Sequence, residues 1–335
     1  MKRNYTLIPL AALLLTAIVA CSNKSGQTAS DETEAETKNT VDVPRFNADS
    51  AYQYVKVQAD FGPRVPNTAA HRACGDYLAG QLEAFGAKVY NQYADLIAYD
   101  NTILKARNII GSYNPDNRRR VLLCAHWDSR PYADEDSDKK TQRTPIIGAN
   151  DGASGVGVLL EVARQLQQQA PTIGIDIVFF DAEDYGIPSF HTGDYKADTW
   201  CLGSQYWGRV PHVSNYNARF GILLDMVGGK NATFYQERFS KRTAGKYVKK
   251  IWNAAHKLGF GSFFPQQDGT EVTDDHIYVY DLLKIPCVDI INYDPNCDTG
   301  FGDFWHTHDD NMDIIDKATL NAVGQTVLEV IYNEQ

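Results

Sequence analysis

Four short and almost wholly apolar runs are the feature that most constrains the fold of this chain. They lie at Val121–Ala125, Ile175–Phe180, Gly221–Leu224 and Pro286–Ile291. Runs of this length without polar alternation are typical of strands that are buried on both faces. Between the first two runs, Ala153–Gln167 has the apolar spacing of an amphipathic helix. Buried strands that alternate with helices predict an α/β three-layer sandwich, in which helices cover both faces of a central, twisted, mostly parallel sheet.

The other elements are predicted from the spacing of their apolar residues. Further helices are expected at Asp49–Asp60, Thr68–Phe85, Lys241–Leu258, Asp275–Leu283 and Lys317–Tyr332. Lys88–Ala98 and Thr102–Ser112 alternate enough to pair as antiparallel strands. Arg130–Thr144 is predicted to be a charged loop, and residues 181–213 a long irregular stretch.

The N-terminal residues predict export and a lipid anchor. Residues 1–20 have a basic start and a short apolar run, and they end in small residues directly before Cys21, which resembles the bacterial lipoprotein processing box. We expect cleavage before Cys21, a lipid on its thiol, and attachment to a membrane of the cell envelope, facing the periplasm or in the outer membrane. An ordinary secretory signal with a chance cysteine is the alternative. Residues 21–40 are polar and predict a disordered tether.

The charge and the cysteine content of the chain bear on three features: a nucleic-acid partner, a disulfide, and a zinc site made of thiols. The formal net charge of −10 argues against nucleic acid as a partner, and we expect a monomer. Besides Cys21 the chain has five cysteines, at positions 74, 124, 201, 287 and 297. One disulfide is compatible with an oxidising compartment, but the sequence favours no pair. No two cysteines have CxxC spacing, so a zinc site made of thiols is not expected.

Acidic and histidine side chains follow the apolar runs, where the strands of a parallel sheet end and ligands bind. His126 follows the first run, and for this residue metal ligation and a structural hydrogen bond are equally plausible. Glu183 and Asp184 follow the second run as adjacent carboxylates, which are costly at a buried strand end unless a cation or a proton neutralises them. Asp225 follows the third run, and its apolar setting calls for a partner beside a metal site.

Further candidate residues lie in loops. Asp151 directly precedes a predicted helix, so it serves as an N-cap, as a metal ligand, or as both. Asp274 opens another helix and has the same capping alternative. His306 follows Trp305 in a loop without any periodic pattern. Carboxylates and imidazoles are the ligands of a catalytic zinc site. No Gly-x-Ser-x-Gly elbow or phosphate-binding loop is present, so serine-hydrolase and nucleotide chemistry lack their motifs.

Six motifs in order resemble those of the zinc aminopeptidase superfamily and, within it, the glutaminyl-peptide cyclotransferases. They are HWDS, GANDGASGV, IVFFDAEDYG, ILLDMVGG, DDH and WHTHDDN, and the resemblance covers essentially Asn47 to the C-terminus. The subfamily rests on the tryptophan before His306 and on Asp274-Asp275-His276. The resemblance implies a zinc aminopeptidase-like fold, with residues 41–335 as a single zinc-dependent catalytic domain. It also implies the conversion of the N-terminal glutamine of peptides and proteins to pyroglutamate, with release of ammonia.

The resemblance assigns a role to each candidate residue by position. It implies that Asp151, Asp184 and His306 bind the zinc ion, with one ion expected per chain. Here Asp184 stands where the family usually has a second glutamate. It implies further that Glu183 is the general acid/base. It implies that Asp225 and Asp274 form an acidic hydrogen-bonding pair near Glu183, with Asp275 as the alternative partner of Asp225. Trp305 is implied to line the pocket for the N-terminal residue of the substrate.

Three points stay open at this stage. The family's second pocket tryptophan corresponds to Trp200, to Trp207 or to neither, because the stretch around them does not align clearly. A dinuclear zinc aminopeptidase is the alternative enzyme, in which His126 and Asp225 would be ligands of a second metal ion. A non-catalytic binding lipoprotein of the same fold is the third hypothesis, although such a protein would be expected to have lost one of the site residues.

Overall fold

A six-stranded sheet forms the middle layer of the structure, a computed structural model in which residues 41–334 are described. Its strands are β1 (Lys88–Ile97), β2 (Ile103–Tyr113), β3 (Arg120–His126), β4 (Gly174–Phe180), β5 (Gly221–Asp225) and β6 (Cys287–Ile291). In space their order is β1-β2-β4-β3-β5-β6. β2 runs antiparallel to both of its neighbours, whereas β4, β3, β5 and β6 pair in parallel. The mostly parallel sheet is therefore confirmed.

Helices cover both faces of this sheet, so the three-layer α/β fold is also confirmed. They are α1 (Ala48–Asp60), α2 (Ala69–Ala84), α3 (Ala153–Gln168), α4 (Leu202–Arg209), α5 (Arg238–Lys257), α6 (Asp275–Leu283) and α7 (Lys317–Tyr332), with one short 3₁₀ helix at Met312–Ile314. Alternate residues of β3 show the layering: Leu123 packs into the core with α1, α2, α3, α5 and α7, whereas Leu122 and Cys124 pack into a second core with α4 and α6.

Two predicted boundaries are wrong, each for a local reason. The stretch 181–213, predicted to be irregular, contains α4, whose Trp207 is fully buried against Phe180 and Tyr216. Helix α5 begins at Arg238 rather than at Lys241, because the carboxylate of Glu237 accepts hydrogen bonds from the first free N–H groups of the helix. The other predicted helices and strands are present within one or two residues.

Several predictions concern residues that the structure does not describe. The signal peptide at 1–20, the lipid on Cys21 and the tether at 21–40 lie outside the described residues, as does the last residue of the chain. These remain predictions, as does a single catalytic domain at 41–335. Among the described helices, none combines the length and the apolar character that crossing a bilayer requires. The five cysteines of the described part of the chain are free thiols, so no disulfide joins any two of them.

The carboxyl ends of the parallel strands meet at one edge of the sheet and position the site. His126 ends β3 and lies in register with Phe180, the last residue of β4. Asp225 ends β5 and lies in register with Ile291, the last residue of β6. The segments that follow these strands therefore carry their polar side chains to a common place.

Candidate active site

Three of the predicted metal-binding side chains converge in the structure. Asp151, Asp184 and His306 each offer one ligand atom, and these atoms all lie within 4.8 Å of one another. The Nε2 atom of His306 lies 3.2 Å from Asp184 Oδ1 and 3.7 Å from Asp151 Oδ2. All three residues are buried.

The chemistry of this group fits a divalent cation. Asp184 is 1 % exposed, and neither of its carboxylate oxygens accepts a hydrogen bond from the described residues. Its Oδ1 has only ion-pair contacts, with His306 at 3.2 Å and with Arg130 at 3.8 Å. A buried carboxylate without hydrogen bonds is costly, and an ion bound between it and its neighbours would reduce that cost. Two carboxylates and one imidazole are ligands that zinc accepts, and three protein ligands leave a position open for a substrate atom.

A second group shares Asp151 with the first. His126 Nε2 lies 3.0 Å from Asp151 Oδ1 and 3.2 Å from Asp225 Oδ1. Burial lowers the pKa of His126, but the carboxylates of Asp128, Asp151 and Asp225 outweigh it and raise that pKa well above its ordinary value. Burial, together with the charges of Asp151 and Asp274, raises the pKa of Asp225 to about 7 against the lowering effect of His126. Asp151 thus lies between two sets of candidate ligands.

The loop before α3 is shaped so that Asp151 faces the site. The N-cap of α3 is Gly152, not Asp151, so the capping alternative for Asp151 is wrong. Gly152 has a φ of 93°, and a Cβ there would lie 2.5 Å from the carbonyl oxygen of Asp128, so only glycine fits. The carboxylate of Asp310 accepts hydrogen bonds from the backbone N–H groups of Asn150 at 2.7 Å and Asp151 at 3.0 Å.

A buried arginine joins this loop to the end of β3. The guanidinium of Arg64 donates to the carbonyl oxygens of Trp127, Ile147 and Gly148 at 2.7–3.0 Å. Arg64 is fully buried. The backbone on both sides of the site is therefore held by one side chain from the N-terminal part of the domain.

The turn after β4 presents Glu183 and Asp184 side by side. The two carboxylate oxygens of Asp128 accept hydrogen bonds from the backbone N–H groups of Glu183 at 3.1 Å and Asp184 at 3.2 Å. Ala182, just before them, has a φ of 52°, which is uncommon for a residue with a side chain and marks a strained turn. Asp128 therefore acts as the support of this turn.

His306 is oriented by two residues of the segment predicted to be a charged loop. Asp134 Oδ1 lies 3.4 Å from His306 Nδ1, the ring nitrogen that faces away from the cluster. The buried guanidinium of Arg130 donates to both oxygens of Asp134, and also to the carbonyl oxygen of Asp184 at 2.8 Å. A carboxylate behind a metal-binding histidine fixes its tautomer and ring orientation. Neither Arg130 nor Asp134 is predicted from the sequence to belong to the site, although their i, i+4 spacing directly after the HWDS motif is a signal.

The remaining predicted acids form a third group behind the first. Ligand atoms of Glu183, Cys201 and Asp274 lie within 4.8 Å of one another. The thiol of Cys201 donates to Glu183 Oε1 at a sulfur–oxygen distance of 3.0 Å. Asp274 does cap α6, because its Oδ1 accepts the N–H of Asp275, but its Oδ2 has no hydrogen-bond partner among the described residues. Burial raises the pKa of Glu183 well above its ordinary value, and the charges of Asp184 and Asp274 raise it further.

Aromatic side chains wall a cavity of about 340 Å³ above these groups. The ring of Trp305 stacks on that of His306 with centroids 3.7 Å apart, and Trp200 lies parallel to the same ring at 5.9 Å. Both tryptophans line the cavity. Trp207 instead is buried against Phe180 and Tyr216, so Trp200 lines the cavity and Trp207 does not.

Known proteins that are similar to this chain include glutaminyl cyclases and peptidases. The model of peptidase family M28 matches residues 108–331. The solved structure of Bacteroides thetaiotaomicron glutaminyl cyclase bound to N-acetylhistamine is 64 % identical, covers 88 % of this chain and 100 % of its own, and has a TM-score of 0.86. The structure of a Zn-dependent exopeptidase from Parabacteroides distasonis is 63 % identical over the same shares, with a TM-score of 0.87. Aminopeptidase YwaD of Bacillus subtilis is 27 % identical over 81 % of this chain, which spans 54 % of that relative.

Proposed function

Since the chain belongs to peptidase family M28, we propose that it is a zinc-dependent glutaminyl-peptide cyclotransferase. Its substrates would be peptides and proteins with an N-terminal glutamine, which it converts to pyroglutamate with release of ammonia. The observation that carries this proposal is the 64 % identity with a solved glutaminyl cyclase over 88 % of the chain. The cavity that Trp200 and Trp305 line supports it, because a planar amide side chain packs well against flat rings.

The residues that would hold the zinc ion are Asp151, Asp184 and His306. When bound there, zinc supplies a Lewis acid that polarises the γ-carbonyl of the substrate glutamine. The 63 % identity with a Zn-dependent exopeptidase supports the choice of metal. Trp200 and Trp305 would hold the side chain of the N-terminal residue beside this group and exclude water from it.

Glu183 would carry the proton in the reaction. Its carboxylate takes a proton from the neutral α-amine of the substrate as that nitrogen forms a bond to Cδ, the carbonyl carbon of the side-chain amide. The bond from Cδ to the amide nitrogen then breaks, and Glu183 gives the proton to the departing ammonia. Asp225 and Asp274, both buried beside this residue, would accept hydrogen bonds from the substrate amine and hold it in place for ring closure.

We propose one zinc ion per chain. The nucleophile is the substrate's own amine, already tethered for the closure of a five-membered ring, so no activated water is needed. His126 is the candidate ligand of a second ion, but its Nε2 lies within hydrogen-bonding distance of Asp225, which satisfies that nitrogen without a metal. Metal analysis of the purified protein tests this point: about one zinc per chain is expected, and two would favour a dinuclear hydrolase.

The experiment that tests the function compares two substrates. Purified protein is incubated with a Gln-peptide and with leucine p-nitroanilide, and ammonia and nitroaniline are measured. We expect ammonia from the Gln-peptide, none from the same peptide with N-terminal asparagine, and no nitroaniline. Nitroaniline without ammonia would make the protein an aminopeptidase, a candidate favoured by the cluster of His126, Asp151 and Asp225. If neither ammonia nor nitroaniline is released, a non-catalytic binding lipoprotein would be favoured.

The sequence supports a further proposal about location. We propose that the mature protein is a monomer attached to a membrane of the cell envelope through a lipid on Cys21, and that its polar tether holds the enzyme away from the lipid surface. Labelled palmitate should be incorporated into the wild-type protein and not into Cys21→Ala. If the wild-type protein is unlabelled and found in the soluble fraction, residues 1–20 would be an ordinary secretory signal. Light scattering of the enzyme without its tether measures the mass in solution and tests whether it is a monomer.

A further inference from the structure

The third group of the site contains a thiol that the proposed reaction does not use. Cys201 is fully buried, and its sulfur lies 3.0 Å from Glu183 Oε1. Backbone hydrogen bonds fix this arrangement, because Cys201 N–H donates to the carbonyl oxygen of Glu183 at 2.9 Å and Leu202 N–H donates to that of Ala182 at 3.0 Å. These bonds hold the two backbone segments side by side, so the thiol and the carboxylate extend from adjacent positions.

An unpartnered oxygen points to the same place. Asp274 is 3 % exposed, and its Oδ2 has no hydrogen-bond partner among the described residues. Ligand atoms of Asp274, Glu183 and Cys201 lie within 4.8 Å of one another. Three atoms so spaced can reach one cation at ordinary metal–ligand distances after small shifts of their side chains.

The charge of the cavity also favours a cation. The residues that line it include the carboxylates of Asp151, Glu183, Asp184, Asp225, Glu271 and Asp274, and neither lysine nor arginine is among them. One zinc ion would balance only the two carboxylates that bind it, and the nearby guanidinium of Arg130 is paired with Asp134. The other four acidic side chains are therefore available to a further cation, to which they can lose their protons.

We propose that Glu183, Cys201 and Asp274 form a second, inhibitory site for one thiophilic divalent cation, such as cadmium or an excess of zinc. A thiolate with two carboxylates suits these ions, whereas magnesium and calcium select sites made only of oxygen. On binding, the S–H bond of Cys201 breaks, a sulfur–metal bond forms and the proton leaves to the solvent, without any redox step. The inhibition rests on the proposed function, because the bound ion would occupy the carboxylate that must carry the proton.

The test adds cadmium chloride to the zinc-loaded enzyme. Ultraviolet absorption from the thiolate–cadmium bond should rise until one equivalent of cadmium has been added. Ammonia release should fall in parallel, and the zinc content should stay unchanged. Magnesium chloride should do neither. In Cys201→Ser the absorption should be lost and the inhibition constant should rise at least about tenfold. Cys297→Ser, which removes the half-buried thiol, should behave as wild type.

A further variant guards against misfolding of Cys201→Ser. Asp274→Asn keeps the thiol and the oxygen that caps α6, so it should show the same absorption at saturation with about tenfold weaker affinity. Absorption that persists in Cys201→Ser would overturn the proposal. So would the replacement of zinc by cadmium with equal inhibition of the wild type and of Cys201→Ser. The absorption does not depend on turnover, so a protein that binds cadmium through Cys201 but releases no ammonia would contradict the proposed function and not this site.

Discussion

The backbone beside three of the site residues, Asp151, Glu183 and Asp184, is held by carboxylates from distant parts of the sequence. Asp128 supports the turn of Glu183 and Asp184, and Asp310 supports the loop of Asp151. Both supports are buried carboxylates that accept backbone N–H groups. Such partners restrict the backbone, so the positions of the candidate ligands are set before any ion binds.

Replacement of Glu183 separates proton transfer from metal binding. Glu183→Gln keeps the size of the side chain but cannot accept the proton, so kcat should fall by about 10²–10⁴-fold. Zinc content should stay at the wild-type value, because Glu183 lies outside the group that would bind it. Steady-state ammonia release and metal analysis measure the two quantities. Glu83→Gln, at an exposed position of α2, is the matched control and should leave both unchanged. A loss of zinc from Glu183→Gln would instead identify a ligand.

Replacement of Asp134 should weaken metal binding, although Asp134 is not itself one of the candidate ligands. Its carboxylate faces His306 Nδ1 at 3.4 Å, and its loss frees the imidazole to turn. In Asp134→Asn we expect zinc affinity to fall by about 10–100-fold. Competition with a chelator measures that affinity. Asp138→Asn, at an exposed position of the same loop, should match the wild type. Equal affinities in the two variants would show that Asp134 has no such role.

The residues of the site differ in how far the sequence could predict them. Those with an ordered motif around them, such as Asp151 and His306, were placed together correctly. Trp200 could not be distinguished from Trp207, because the segment before α4 has no aligned pattern. Cys201 gave no signal at all, since a single cysteine in an irregular stretch becomes informative only when the fold brings it to Glu183.

Among the elements, α4 was missed because its own sequence disfavours a helix. Its eight residues include two glycines, and it begins after Cys201, whose φ of 57° is left-handed. Tertiary packing of Trp207 stabilises the helix instead. Eight residues are also too few for an apolar pattern of helical period to be recognised with certainty. The long helices α3 and α7 have that periodicity, and they were predicted almost to the residue.

The cap of α5 predicts a pH dependence of stability. Burial would raise the pKa of Glu237, but His276 and the N–H groups of Ser240 and Phe239 outweigh it and lower the pKa to about 2. Because this value lies below that of the unfolded chain, the stabilisation is complete above about pH 5 and is lost as the pH falls towards 2. Glu237→Gln should therefore cost about 1–3 kcal/mol at pH 7 and progressively less in acid.

Urea unfolding of Glu237→Gln and the wild type at pH 7 and pH 3 measures this difference. The comparison between the two proteins removes the effect of acid on all other groups. Glu83→Gln serves again as the exposed control and should show no difference at either pH. A difference that stays constant between the two pH values would mean that the charge of Glu237 does not contribute.

At the scale of the whole molecule, Arg64 joins the N-terminal part of the domain to the site. In Arg64→Met three buried carbonyl oxygens would lose their donor, and we expect a loss of about 3 kcal/mol or more in the free energy of unfolding. Zinc affinity should fall as well, because the loop of Asp151 loses its support. Arg72→Met, at an exposed position of α2, is the control. Urea unfolding that matches this control would exclude the role of Arg64.

The overall architecture was predictable because its cause lies in four local runs. A strand that is buried on both faces requires a helix layer above and below it, and this requirement fixes the three layers whatever the loops do. The spatial order of the strands was not predictable from these runs. It depends on pairings between distant segments, such as that of β2 with β4, for which no local pattern exists.

The position of Asp151 between the two groups of ligands bears on how such enzymes diverge. One of its oxygens faces His306 and the other faces His126, on a backbone that Gly152 and Asp310 hold rigid. A descendant of this scaffold could change from ring closure to hydrolysis by exchanging a few side chains around an unchanged frame. Related proteins that catalyse different reactions are therefore expected to share this aspartate and to differ in the side chains around it.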